Sequence, residues 1–258
     1  MDLLEARGRI EQNNRHPWET ARLEVVRRLI DRHLELAAGS VVIDVGCGDA
    51  FVTSSLAATC PSVRFYGIDS GLTPEFAASL TSHYSLPNLH LGASLEDVSI
   101  EPTRTVALVL LMDVIEHVED DQAFIGGLRT ATGADSETCW LITVPAFQAL
   151  FSAHDVFLRH YRRYSRKALV GSMERAGLRV VESGYFFSSL LPIRLLQVIR
   201  ERMIGRPAGT GAGALRYDGP AAALLARVLE CDAMISLGLS RAGIPFPGLA
   251  LCAVCRSA

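Results

Sequence analysis

VVIDVGCGDAF, residues Val41 to Phe51, is the stretch that decides the fold. Val41 to Val45 are almost all β-branched or apolar, the pattern of a strand covered on both faces in a parallel sheet. Asp44 stands near the carboxyl end of that strand. Gly46 and Gly48 then bracket Cys47, and a helix-like run from Phe51 to Ala58 follows. A tight strand-to-helix turn without bulky side chains lets a ligand come close to the backbone. In open α/β sheets such a turn lies at the carboxyl edge, where ligands bind.

The acid ahead of the first glycine narrows the ligand. A dinucleotide site needs G-x-G-x-x-G, three glycines that seat a pyrophosphate on a helix N-terminus. Here the pattern is D-x-G-x-G, and Phe51 fills the third place. An ionised Asp44 repels a pyrophosphate and suits a ligand with an ammonium group. Asp69 closes a second strand-like run, VRFYGID, about twenty residues downstream. At that spacing an acid accepts hydrogen bonds from ribose hydroxyls. A ribose and an ammonium without a phosphate describe S-adenosylmethionine.

Three motifs now line up with a known family. VIDVGCGDAF resembles the first motif of the class I S-adenosylmethionine-dependent methyltransferases, YGIDS the second, and VALVLLMDVIEHVED the motif on the fourth strand. Order and spacing agree over roughly residues 16 to 187. The chain is also similar to a bacterial branch with one conserved-looking segment on each side of the core. Here these read HPWETAR (His16 to Arg22) and HDVFLRHYRRYSRK (His154 to Lys167). The resemblance implies an α/β, Rossmann-like, seven-stranded and mostly parallel sheet with helices on both faces. It fixes the cofactor far better than the acceptor.

Bulk properties bound the rest. A chain of 258 residues with 49% hydrophobic content can build one α/β domain with additions. A net charge of −3 gives no bulk affinity for nucleic acid, although Arg159 to Lys167 form a local basic cluster. The six cysteines show no metal-binding arrangement, and buried thiols of a reducing cytosol are expected, so no metal and a cytoplasmic location are anticipated. Met1 to Ile10 carries charges throughout, unlike a signal peptide. The longest apolar region, YFFSSLLPIRLLQVI, is broken by Pro192 and Arg194, so no membrane span is expected.

Along the chain, residues 1–15 are polar, and Trp18 to Leu36 has helical spacing of Leu23, Val26, Leu29, Ile30 and Leu34. Further strands are read at residues 88–92, 106–112, 139–145, Leu178 to Phe187 and 248–256. Helices are read at Asp120 to Thr130 and Ser165 to Ala176, and Ala146 to Tyr164 reads as a long functional loop. About sixty residues separate the last two strands. They hold two helical runs, Leu190 to Met203 and Pro220 to Ala242, joined by GRPAGTGAGALRYDG, a flexible linker by composition. The expected organisation is a single methyltransferase domain over 1–258: an N-terminal helical lid (1–38), a cofactor-binding core (39–187), a helical insertion or cap (188–246) and a last strand (247–258).

For the cofactor the candidates are Asp44, Gly46, Gly48 and Asp69; the bland alternative for the glycines is a turn with no ligand. The resemblance adds Ser94 and Leu95 beside the adenine and Asp113 beside the methionyl end. Glu116 and His117 either belong to the site or orient the helix that follows. On the acceptor side, His154 and His160 are candidate bases near neutral pH, with Tyr161 beside them. His154 has an alternative as a loop anchor with Asp155. Arg159, Arg163 and Tyr164 are acceptor-binding candidates, either a pocket for an anionic group or a solvated helix face. Trp18 is a further acceptor-binding candidate: with His16 and Arg22 it is a lid over the cofactor, or it is a simple core anchor.

The leading expectation is methyl transfer to a small-molecule or lipid-linked acceptor at oxygen, nitrogen or carbon. The competing readings are an NAD(P)-dependent oxidoreductase on a similar sheet, and a non-catalytic binding module. The apolar run at Leu190 to Ile199 must bury against the acceptor pocket, a second copy of the chain or a membrane surface, which leaves homodimerisation and peripheral membrane contact open.

Overall fold

The computed structural model describes residues 15–98, 100, 105–204, 219–244 and 246–257. The segment 1–14 and most of the expected linker, residues 205–218, lie outside them. Seven strands, β1 (Val41–Val45), β2 (Arg64–Ile68), β3 (Leu89–Gly92), β4 (Val106–Met112), β5 (Cys139–Pro145), β6 (Leu178–Phe186) and β7 (Ala250–Ser257), form one sheet of order β3-β2-β1-β4-β5-β7-β6. Every pair is parallel except those of β7, which runs antiparallel to both β5 and β6.

The register explains why β1 reads as an unbroken apolar run. Val42 lies opposite Phe65 and Leu108, and these residues enter one apolar cluster with Leu110 and Leu141. Ile43 lies opposite Tyr66 and Val109, and these enter the other cluster with Trp140 and Ile142. Successive residues point to opposite faces, so a strand with a core on each side needs apolar residues at both parities.

Helices cover both faces, and local capping places many of their starts. In α1 (Pro17–His33), His16 caps the Trp18 N–H, Glu19 accepts from the His16 N–H, and proline fills the first turn. Helices α2 (Phe51–Thr59), α3 (Pro74–Tyr84), α4 (Leu95–Val98) and α5 (Asp121–Thr132) connect the strands up to β5. The long loop expected at 146–164 contains a 3₁₀ turn, Gln148–Leu150, and a short helix, α6 (Ala153–Phe157). Helix α7 (Arg166–Arg175) leads into β6.

The two helices between β6 and β7 differ in how they are held. In α9 (Pro220–Arg241), Leu229, Ala233 and Leu237 are buried in the same cluster as Ala21, Val25 and Leu29 of α1. A Cβ on Gly184 of β6 would sit 3.0 Å from the Leu237 Cδ2 and 3.1 Å from the Ser240 Cβ, so this glycine permits the close approach of α9. Ser236 and Asp232 also bond to Ser188 and Ser189 at 2.8–2.9 Å. Helix α8 (Leu190–Ile204) buries Val198 but exposes Leu195, Leu196, Ile199, Met203 and Ile204. Polar contacts tie it to the segment after β5: the Ala153 N–H donates to Glu201 at 2.8 Å, and Arg202 donates to the Ala149 carbonyl at 2.8 Å. Among the described residues, no helix is long and apolar enough to cross a membrane.

Candidate active site

The carboxyl ends of β1, β2 and β4 bring three acids to one edge. Asp44 is fully buried at the end of β1. Its Oδ2 accepts from the Thr53 hydroxyl, and its Oδ1 has no hydrogen-bond partner among the described residues. Burial, against the Thr53 hydrogen bond, pushes its pKa up to about 7. Gly46 has φ +77°, and a Cβ there would lie 2.5 Å from the Val114 Cγ2, so only glycine makes this turn. Asp69 ties the turn to β2: the Gly48 N–H donates to its Oδ2 at 3.0 Å and the Gly71 N–H to its Oδ1 at 2.9 Å. Asp113 follows β4 in the left-handed region, at φ 54°. Its Oδ1 accepts from Thr143 at 3.1 Å, and its Oδ2 pairs with Arg22.

Helix α1 reaches over this edge. The Arg22 guanidinium lies 4.5 Å from the centre of the Trp18 ring and joins both to Asp113. Arg15 pairs with Asp49 in the glycine turn and stands 4.3 Å over the Phe51 ring. His16 acts as a helix cap. Ser94 precedes α4 and Leu95 opens it; the Ser94 N–H and hydroxyl donate to Asp97 at 2.9 and 3.1 Å.

In the segment after β5, Asp155 is the hub. It is fully buried and accepts from the Ser152 N–H (2.9 Å) and Arg163 Nε (2.8 Å), with Arg194 at 3.4 Å; the His160 Nδ1 lies 2.9 Å away. Although burial opposes it, His160 and Arg163 hold its carboxyl far below the usual range. His160 packs edge-on against His117 with ring centres 4.6 Å apart. Burial, then the neighbouring His160, lowers the His117 pKa to about 4. Glu116 is fully buried, and burial followed by Asp113 raises its pKa well above the ordinary value.

The sequence candidates are therefore distributed unevenly. Asp44, Gly46, Gly48 and Asp69 share one turn, and Asp113 reaches Trp18 through Arg22. His160 and Arg163 meet at Asp155, while Arg163 also donates to the Ala146 carbonyl at 3.3 Å. Tyr164 is buried, and its hydroxyl donates to Asp121 at 2.7 Å. His154 sits in the first turn of α6, capped by Ser152. Tyr161 and Arg159 are exposed. Sequence reasoning passed over Thr53, Asp49, Arg15 and Arg194. Thr53 is in the first turn of α2, and nothing at the sequence level marks it as the partner of Asp44. The S-x-x-D pattern of SAHD is a readable capping box that identifies Ser152 and Asp155.

Residues 18–183 match the family described as a methyltransferase domain. A curated relative, the ubiquinone biosynthesis O-methyltransferase of Chromobacterium violaceum, is 27% identical over 161 residues, 58% of this chain and 68% of the relative. A chain from the Haloferax volcanii complex of the Trm112 methyltransferase activator with a methyltransferase aligns over 99% of this chain and 96% of its own, at 14% identity and a TM-score of 0.57. Coclaurine N-methyltransferase bound to N-methylheliamine and SAH aligns over 91% of this chain and 70% of its own, at 15% identity and a TM-score of 0.54. At these identities the structural likenesses speak to the fold alone. The unpaired Asp44 oxygen behind a turn that admits no side chain fits a cationic cofactor brought close to the backbone. With the match over 18–183, the chain belongs to the methyltransferase-domain family and is an S-adenosylmethionine-dependent methyltransferase.

Proposed function

We propose that the chain methylates a hydroxyl group on a small or lipid-linked acceptor, with the donor over the β1–α2 turn and the acceptor over the segment after β5. The observation that carries this reading is the convergence of Asp44, Asp69 and Asp113 on one sheet edge, with a second group built on His117, His160 and Asp155 that begins four residues after Asp113. S-adenosylmethionine, when bound, supplies a methyl group activated by its sulfonium. The free Asp44 oxygen would pair with the ammonium, Asp69 would take the ribose hydroxyls, Ser94 and Leu95 would flank the adenine, and Asp113 would border the methionyl end. Trp18 and Arg22 would close over the cofactor and keep water out.

His160 or His154 takes the acceptor proton. Burial and the Arg194 charge lower the proton affinity of His154, which keeps it neutral and able to accept. The O-methyltransferase name of the Chromobacterium relative supports oxygen as the methylated atom. The exposed apolar residues of α8, next to the segment after β5, support an acceptor with an apolar tail. Most of the chemistry asked of the protein is positioning, since an in-line displacement needs donor and acceptor held at near-attack distance.

Calorimetry with S-adenosylhomocysteine tests the cofactor half. Asp69→Ala should weaken binding on the order of 30-fold or more, about 2 kcal/mol for the lost hydrogen bonds. Wild-type affinity in that variant would overturn the assignment. Labelled methyl donor with hydroxylated acceptors of increasing alkyl length tests the other half: the expected result is a KM that falls as the tail lengthens.

A further inference from the structure

We propose that Glu116, His117 and His160 form a binding site for a divalent metal ion on the acceptor side of this edge. One carboxylate oxygen and one nitrogen from each imidazole lie within 4.8 Å of one another. Two independent observations raise this above proximity. First, Glu116 is fully buried, and neither carboxylate oxygen has a hydrogen-bond partner among the described residues. A buried carboxyl without a donor is costly and rare, and a cation beside it removes the cost. Second, His160 is oriented as a ligand would be. Its Nδ1 faces the Asp155 Oδ1 at 2.9 Å, which leaves Nε2 for an ion, the carboxylate–histidine–metal arrangement. Asp155 is itself fixed by Ser152, Arg163 and Arg194.

Donors on a single ion, at bonds of about 2.1 Å, stand roughly 3–4 Å apart, so binding draws the three side chains slightly inward. Two imidazoles and one carboxylate suit manganese, iron, cobalt, nickel or zinc better than magnesium or calcium, which prefer oxygen donors throughout. Three protein ligands leave positions open for a pair of acceptor oxygens. That role rests on the reading above, with His154 rather than His160 taking the proton, because the ion holds the His160 Nε2; binding of the ion does not rest on it.

The test uses the full chain, stripped of metal with a chelator and titrated with cobalt(II) chloride, with S-adenosylhomocysteine binding measured in parallel as a check of folding. The expected result is one cobalt per chain with a visible absorption band. Affinity should fall at least 100-fold in Glu116→Gln and in His117→Ala, and about 10- to 100-fold in Asp155→Asn, where Asp155 is the positioning residue. Pulsed paramagnetic resonance of the manganese(II)-loaded wild type should show imidazole nitrogen couplings, a readout that needs no substitution. No cobalt uptake, unchanged affinity in both ligand variants, or no imidazole couplings would overturn the metal site. If S-adenosylhomocysteine still binds, the methyltransferase reading survives; failure of the wild type to bind it would sink that reading alone.

Discussion

At the scale of the residue, Asp44 decides most. Burial raises its pKa from 3.8 to about 7, so the folded chain keeps a proton there that the unfolded chain releases. Its stabilising contribution is fully present below pH 3.8 and is lost as the pH rises towards 7. The loss is on the order of 4 kcal/mol. Asp44→Asn should therefore raise the melting temperature of the cofactor-free protein at pH 8 and leave it nearly unchanged at pH 4. A bound ammonium selects the ionised form, so S-adenosylhomocysteine should bind more tightly from pH 5.5 to 8, by up to about tenfold per pH unit below 7. Calorimetry across that range checks this; a flat profile would mean that Asp44 does not face the ammonium. Asp44 and Asp69 were legible because a strand end and a glycine turn are local signals. The Arg22–Asp113 pair joins helix α1 to the end of β4 across 91 positions, and local pattern cannot reveal such a pairing.

At the scale of the element, the segment after β5 separates what periodicity can reveal from what it cannot. The strands appear almost where the apolar runs place them, because a sheet with a core on each face imposes apolar residues at both parities. Helix α6 has five residues, too few to display a helical period, and only its capping box betrays it. Tyr164 shows the corresponding ambiguity of side chains: an aromatic beside arginines reads as an acceptor contact, yet its hydroxyl bonds to Asp121 inside the core. Burial and then the Asp121 contact push its pKa far above the ordinary tyrosine value. Tyr164→Phe leaves the Asp121 carboxylate without that donor and should cost about 1–3 kcal/mol in denaturant unfolding, with cofactor affinity unchanged. A normal midpoint together with a raised KM would instead put Tyr164 in the acceptor pocket.

At the scale of the whole molecule, the insertion between β6 and β7 was legible as two helices but not in its allegiance. Both runs are apolar enough to need a partner, and only the tertiary fold reveals that α9 finds one in α1 and β6 while α8 leaves much of its apolar surface uncovered. Excising residues 220–241 should therefore abolish cooperative thermal unfolding rather than merely uncap the acceptor site. Circular dichroism would show this as the loss of a single sharp transition, and a sharp transition near the wild-type temperature would argue that α9 is dispensable. The sheet order carries a separate consequence. Within the sheet, β6 pairs only with β7, and β7 also closes the outer edge of β5. A ribosome making the chain at about 5–20 residues per second needs several seconds to cross the roughly sixty residues from β6 to β7. Through that interval the nascent chain carries the outer edge of β5 and the whole of β6 unpaired. The time when this protein is most open to sticking, and most in need of a chaperone, thus falls between the synthesis of β6 and that of β7.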